Sequence, residues 1–136
     1  MPLIQVDLSK IIIDEKRQDQ VIVLKERDGK RKFPIMIGFM EASSIKMRLA
    51  NLKAPRPMTH DLILSIFEQL GAIPQQLIID KIIEHTFHAK LVVHRYDDEL
   101  VYIDLRPSDG LAVAVRAQIP IFVEEDVLKS AELPAL

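Results

Sequence analysis

The chain has no cysteine, no tryptophan, only four glycines and few aromatic residues, and each shortage closes off a class of function. Without cysteine there is no disulfide framework, no thiolate zinc site and no cysteine nucleophile. A metal would have to be held by oxygen and imidazole ligands. Four scattered glycines make neither a Walker loop nor a dinucleotide fingerprint. No stretch approaches the ~18 uninterrupted apolar residues of a membrane helix, and no basic segment followed by an apolar core opens the sequence. The expected setting is the cytoplasm, with no membrane partner.

What is present is a chain of 136 residues, about half of them apolar, which predicts one ordered domain over residues 1–136 with a real core. The net charge of −2 argues against a general polyanion binder, but it is unevenly spread. Residues 1–56 carry 12 Lys/Arg against 7 Asp/Glu, and residues 57–136 carry 6 against 13, so the halves stand at +5 and −7. In the basic half Lys25, Arg27, Lys30, Arg31 and Lys32 flank one turn, while Lys46, Arg48, Lys53 and Arg56 follow on or just after a helix. Each cluster has a plain explanation as a solvated face and a functional one as a phosphate-contacting surface.

Hydrophobic spacing gives the elements. Leu3–Leu8 alternates as a half-buried strand that Ile11–Ile13 extends or follows, Gln20–Glu26 is β-branched, Asp28-Gly29 marks a hairpin and Phe33–Ile37 returns. A helix, expected to be mostly buried, starts at Phe39, and a second runs from His60 to about Leu70 with Gly71 as its stop. Leu77–Ile83, Thr86–Arg95 and Leu100–Leu105 read as an antiparallel meander. A short helix at Asp109–Ala117, a strand at Pro120–Val123 and a helix at Glu124–Ala131 close the chain. The pattern predicts an α+β fold with a mixed, largely antiparallel sheet, hairpins and three to four helices.

Two stretches concentrate chemistry. Arg56-Pro57-Met58-Thr59-His60-Asp61 is echoed by Arg106-Pro107-Ser108-Asp109, each just before an apolar periodic run, so that a degenerate internal repeat is expected. Proline turns the preceding arginine away from helical geometry, Thr59 and Ser108 are then expected as helix N-caps, and Asp61 and Asp109 fall in the first turn, which favours negative charge. A Ser108-His60-Asp109 triad is formally available, but no Gly-x-Ser-x-Gly elbow accompanies it.

The remaining class is carboxylate-based, metal-assisted phosphodiester chemistry, in which acidic side chains hold divalent ions and an Arg or His stabilises or protonates oxygens. Glu41, His60, Asp61 and Asp109 are the candidate catalytic groups, each at or beside a helix start where free amides favour phosphate. Arg56, Arg106 and Arg116 are the candidate phosphate ligands, by bidentate hydrogen bonding. Glu41, Asp61 and Asp109 would supply oxygens to Mg²⁺ or Mn²⁺. The competing explanation is architectural: Glu41 serves its helix dipole, Asp61 pairs with Arg106 and Asp109 with Arg56, leaving a non-catalytic, oligomeric binding or regulatory module. A small-anion or nucleotide module at the paired helix starts is a third possibility. His85, His88 and His94 read as surface or edge residues, since His88 and His94 lie roughly 20 Å apart along a strand.

The ordered set Ile37-Gly38-Phe39-Met40-Glu41-Ala42, Arg56-Pro57-Met58-Thr59-His60-Asp61-Leu62, Thr86-Phe87-His88-Ala89, Arg106 to Arg116 and Pro120-Ile121-Phe122-Val123 resembles the bifunctional nuclease family. The likeness runs from about Leu3 to Leu128. It implies a compact, self-associated α+β domain with nuclease activity toward RNA and DNA, and it maps the family's motif onto Glu41, Arg56, Thr59, His60, Asp61, Arg106, Ser108, Asp109 and Arg116. Gly110 stands where the family more often has alanine, which should loosen its helical turn.

Overall fold

A computed structural model describes residues 2–133 as strands β1 (Leu3–Ile12), β2 (Asp19–Glu26), β3 (Lys32–Gly38), β4 (Ile73–Ile83), β5 (Thr86–His94), β6 (Leu100–Leu105) and β7 (Ile121–Glu124), with helices α1 (Phe39–Leu49), α2 (Thr59–Gln69), α3 (Pro107–Ala117) and α4 (Glu125–Ala131). The strands form one mixed sheet in the order β3-β2-β1-β7-β4-β5-β6. Every pairing is antiparallel except β4 with β7. The α+β class and the hairpin-rich sheet are therefore as the sequence predicts.

Local chemistry explains the joints. The slip between Leu8 and Lys10 is a bulge in β1, which is why the apolar alternation breaks there and resumes at Ile11. The β4–β5 hairpin turns on Glu84 and His85, both left-handed, so His85 sits at an exposed turn. Gly71 takes the positive φ of 72° that ends α2. Buried Gln20 ties down the loop before β2 by accepting from the Asp14 amide and donating to the carbonyls of Asp14 and Arg17.

The sheet curls strongly without closing. Phe33 of β3 packs on Phe87 of β5 with ring centroids 5.8 Å apart, although four strands lie between them. Around that pair Ile22, Leu24, Leu77, Ile79, Leu111 and Leu128 are fully buried. Helix α3 packs between α1 and α2 and lies on β4 and β5. Its Ala- and Val-rich face lets it approach the sheet closely, and Gly110 is part of that fit: a methyl group there would overlap the buried Leu77 side chain. The glycine is thus a close-packing position, which corrects the expectation of a merely looser turn.

Two further expectations change. The helices beginning at Phe39 and Thr59 are less covered than their apolar spacing suggests. In α1 only Ala42, Ser44 and Ile45 are buried, and in α2 Ile63 and Phe67 pack inward while Leu62, Ile66 and, just past the end of the helix, Leu70 remain 53%, 46% and 68% exposed. The apolar arc of α2 is wider than the strip that α3 and the sheet can cover. The internal repeat is also differently framed: the equivalent units are β1-β2-β3-α1 and β4-β5-β6-α3, two antiparallel meanders each followed by a helix. They flank β7 with β1 and β4 running in opposite directions. In this alignment Glu41 is the counterpart of Asp109, and α2 is the connector.

Candidate functional site

Helices α1, α2 and α3 start alike. Each has an extended residue at the N-cap (Gly38, Met58 and Arg106) and a carboxylate three positions later (Glu41, Asp61 and Asp109). That spacing puts an anion over the free amides of the first turn. It also corrects the expected caps. Thr59 and Ser108 are the first and second helical residues and make no cap hydrogen bond. Pro107 already has the φ of a helix and takes the first position, so α3 begins two residues earlier than its aspartate suggests. In α2 the cap is made from inside, by Asp61 Oδ2 accepting the Met58 amide at 2.9 Å.

The starts of α2 and α3 converge on Asp109. His60 Nε2 lies 3.0 Å from Asp109 Oδ1, and Arg106 donates from Nε to Oδ2 at 2.8 Å and from Nη2 to Oδ1 at 3.1 Å. The same Nη2 reaches Glu41 Oε1 of α1 at 3.4 Å. Arg106 holds the Asp109 carboxyl below its ordinary range against the opposing effect of burial, and His60 adds to this. An ionised Asp109 makes Nε2–H the donor, which leaves Nδ1 as the basic nitrogen of the buried ring. Met40, Glu41, Ser44, Met58, Thr59, His60, Arg106 and Asp109 enclose a cavity of about 210 Å³. Arg106 itself stays 67% exposed at the mouth, and Nη1 makes no hydrogen bond among the described residues.

Asp61 stands apart from this group. Its Oδ1 accepts from Arg116 Nε at 2.8 Å, and Arg116 also donates from Nη1 to the Ala112 carbonyl and from Nη2 to Ser44 Oγ at 2.7 Å. Burial would push the Asp61 carboxyl up, but the Met58 amide and Arg116 outweigh it and the carboxyl lies below its ordinary range. With every guanidinium nitrogen engaged and its side chain only 5% exposed, Arg116 pins α3 to α1 and α2. The groups with which Arg116 was expected to meet phosphate are occupied here by protein acceptors. The expected ion pairs are replaced too: Asp109 pairs with the Arg106 of its own helix start, Asp61 pairs with Arg116, and Arg56 has no ion pair among the described residues.

Of the candidate groups, then, the fold brings together Glu41, His60, Arg106 and Asp109, and it separates Asp61, Arg56 and Arg116 from them. Among the described residues no three His, Asp or Glu side chains are grouped so as to hold a metal ion, so the set Glu41, Asp61 and Asp109 does not form. Ser44, Met40 and Met58 are site residues that the sequence did not single out. Ser44 carries no signal beyond a polar residue on a buried helix face.

The bifunctional nuclease domain model matches residues 22–135. The chain is 37% identical over 123 residues to an uncharacterized protein of Mycobacterium tuberculosis, covering 90% of this chain and 73% of that protein. It is 29% identical over 111 residues to bifunctional nuclease 1 of Oryza sativa, covering 78% of this chain and 33% of the plant protein. With bifunctional nuclease 1 of Arabidopsis thaliana the figures are 29% over 107 residues, 76% and 33%. The chain thus spans about a third of these plant relatives.

Proposed function

The chain belongs to the bifunctional nuclease domain family, and we propose that it hydrolyses phosphodiester bonds of RNA or DNA in the cavity where His60, Asp109, Arg106 and Glu41 meet. The observation that carries this is the His60–Asp109 hydrogen bond with Arg106 at the cavity mouth. Asp109, kept ionised, fixes the imidazole and stabilises its protonated form. His60 takes a proton from the attacking water as the oxygen bonds to phosphorus, and the leaving oxygen is protonated from solvent. An external water suits DNA as well as RNA, because DNA offers no 2′-hydroxyl. Arg106 turns its unpaired Nη1 to the phosphate, and Glu41 balances the guanidinium from the far side.

Mg²⁺ or Mn²⁺ is proposed at Glu41 and Asp109 together with a substrate phosphate, since Mg²⁺ is commonly held by one or two carboxylates and phosphate oxygens. Bound there, an ion would neutralise charge on the phosphate. Asp61 is left out because it lies in the wall of the neighbouring cavity, paired with Arg116, and does not line the one that holds Glu41 and Asp109. Self-association is proposed through the uncovered apolar face of α2, at Leu62, Ile66 and Leu70. A cytoplasmic setting is proposed from the cysteine-free composition. Among the described residues no helix is long and apolar enough to cross a membrane.

The test compares the wild type with Asp109→Asn and His60→Gln on end-labelled RNA and DNA, with and without chelator. Loss of cleavage by at least about 10²-fold in both variants is expected, with a fall on chelation. Equal cleavage by all three proteins would assign the activity to a contaminant. A binding or regulatory module is the second reading, favoured by the local closure of Arg106 on its own helix. It predicts oligonucleotide binding without turnover. Sedimentation of the wild type beside Ile66→Glu, which places a charge on the uncovered face of α2, reads the subunit number.

A further inference from the structure

The two basic clusters of the sequence meet different fates in the fold. In the β2–β3 hairpin the arginines are committed to carboxylates: Arg27 to Asp7, and Arg31 to both Glu26 and Glu125. Beyond α1 the opposite holds. Arg48, Lys53 and Arg56 line one cavity of about 400 Å³ between the end of α1, the 50–58 connection and α2, and none of them has an ion pair among the described residues. Among the described residues the one carboxylate in its wall, Asp61, is paired with Arg116 and also feels the charge of Arg48. Arg48 alone is accounted for by the carbonyl end of α1. Lys53 and Arg56 lie past the helix and are not, so three cations face a concave space in a chain whose net charge is −2.

The rest of the wall is largely apolar, with Met47, Leu52 and Leu64 among its residues. The volume lies at the small end of the range for ligand sites, and an apolar wall beside a cationic rim matches the two chemistries of a nucleotide. This cavity adjoins the one holding His60 and Asp109. Met58 lines both, and Arg116, in the wall of the first, donates to Ser44 in the wall of the second.

We propose that the cavity bounded by Arg48, Lys53 and Arg56 is a subsite for one unpaired nucleotide of a nucleic-acid strand next to the phosphate being cleaved, its phosphate on the cations and its base against Met47, Leu52 and Leu64. The proposal rests on the function assigned above. A paired base cannot leave its stack to enter, so the subsite selects single-stranded or frayed substrate, and with thioether and aliphatic groups against the base it tolerates sequence. Arg56 binds phosphate here, away from the reacting one.

The experiment is fluorescence anisotropy of a short labelled oligothymidylate against the wild type, Lys53→Gln/Arg56→Gln and Arg56→Glu, across a salt series, with KM for the same strand measured in parallel. The substituted side chains are exposed and make no ion pair among the described residues, and melting temperatures confirm folding. The double variant is expected to bind about 10-fold more weakly, and its slope of log affinity against log salt should be smaller by roughly 1.4, about 0.7 for each cation removed. Unchanged affinity and slope in a variant would overturn the subsite even if the wild type cleaves. A wild type that binds with the full slope but never cleaves refutes the catalytic reading and leaves the subsite standing. No binding by the wild type refutes the subsite.

Discussion

Removing Arg116 separates its architectural role from a substrate-binding one. Arg116→Met keeps the apolar stem and deletes the guanidinium, so Asp61, Ser44 and the Ala112 carbonyl each lose a donor. Breaking one side of a buried ion pair costs about 3–5 kcal/mol. Here the figure must be discounted, because the Asp61 carboxylate is 43% exposed and can rehydrate. The Ser44 hydroxyl is buried but can rotate toward another acceptor. A loss of about 2–3 kcal/mol results, equivalent to roughly 6–10 °C in Tm for a domain of this size. Urea unfolding followed by circular dichroism should show a lower midpoint with an unchanged slope, while the folded variant, assayed well below its melting point, should still cleave. A stability change under about 0.5 kcal/mol combined with abolished cleavage would refute this reasoning and return Arg116 to the phosphate.

Acid should act through the helix-start carboxylates. Asp109 and Asp61 are held below the ordinary 3.8 in the folded state, so their contribution is complete above that pH and fades as pH falls toward and through the lower folded values. Melting scans between pH 6 and about pH 2 should show a steeper decline for the wild type than for Asp61→Asn. Gly110→Ala should destabilise by about 1–2 kcal/mol, the overlap with Leu77 exceeding the gain in helix propensity, and Leu77→Val in the same chain should recover part of it in a thermal shift assay. Glu41→Gln removes one of the two carboxylates around Arg106, and cleavage should fall with little change in Tm, measured on the same preparation.

Much of the fold was legible because its signals are local. Alternation in β2 and β5, the Asp28-Gly29 turn and Gly71 each act within a few residues, and the predicted elements match the observed ones to within a few residues at most ends. The start of β4 is an exception. The strand begins at Ile73, four residues before the expected start at Leu77. The site was legible as residue types and not as partners. Every charged residue of the Arg-Pro corners was named, but His60 meets Asp109 and Arg116 meets Asp61 and Ser44 across separations of 49, 55 and 72 positions. Such pairings follow from how α3 lies between α1 and α2, for which spacing carries no signal. The shared placement of Glu41, Asp61 and Asp109 three residues past an extended cap was present in the sequence, but Pro107 and the hydroxyls of Thr59 and Ser108 drew the expected caps one or two residues too late.

The placement of β7 governs the order in which the molecule can be assembled. Among the described residues the first meander is joined to the second in the sheet only through this four-residue strand, with Leu3–Val6 on one side and Leu77–Ile79 on the other. A ribosome must therefore release the chain as far as Glu124 before the two halves can be sewn together. Until then each meander has an open edge, at β1 and at β4, where another strand can add. The pairing of Leu3–Val6 with β7 closes a far longer loop than any hairpin of the sheet, the kind of contact that slows folding and lengthens the exposure of open strand edges.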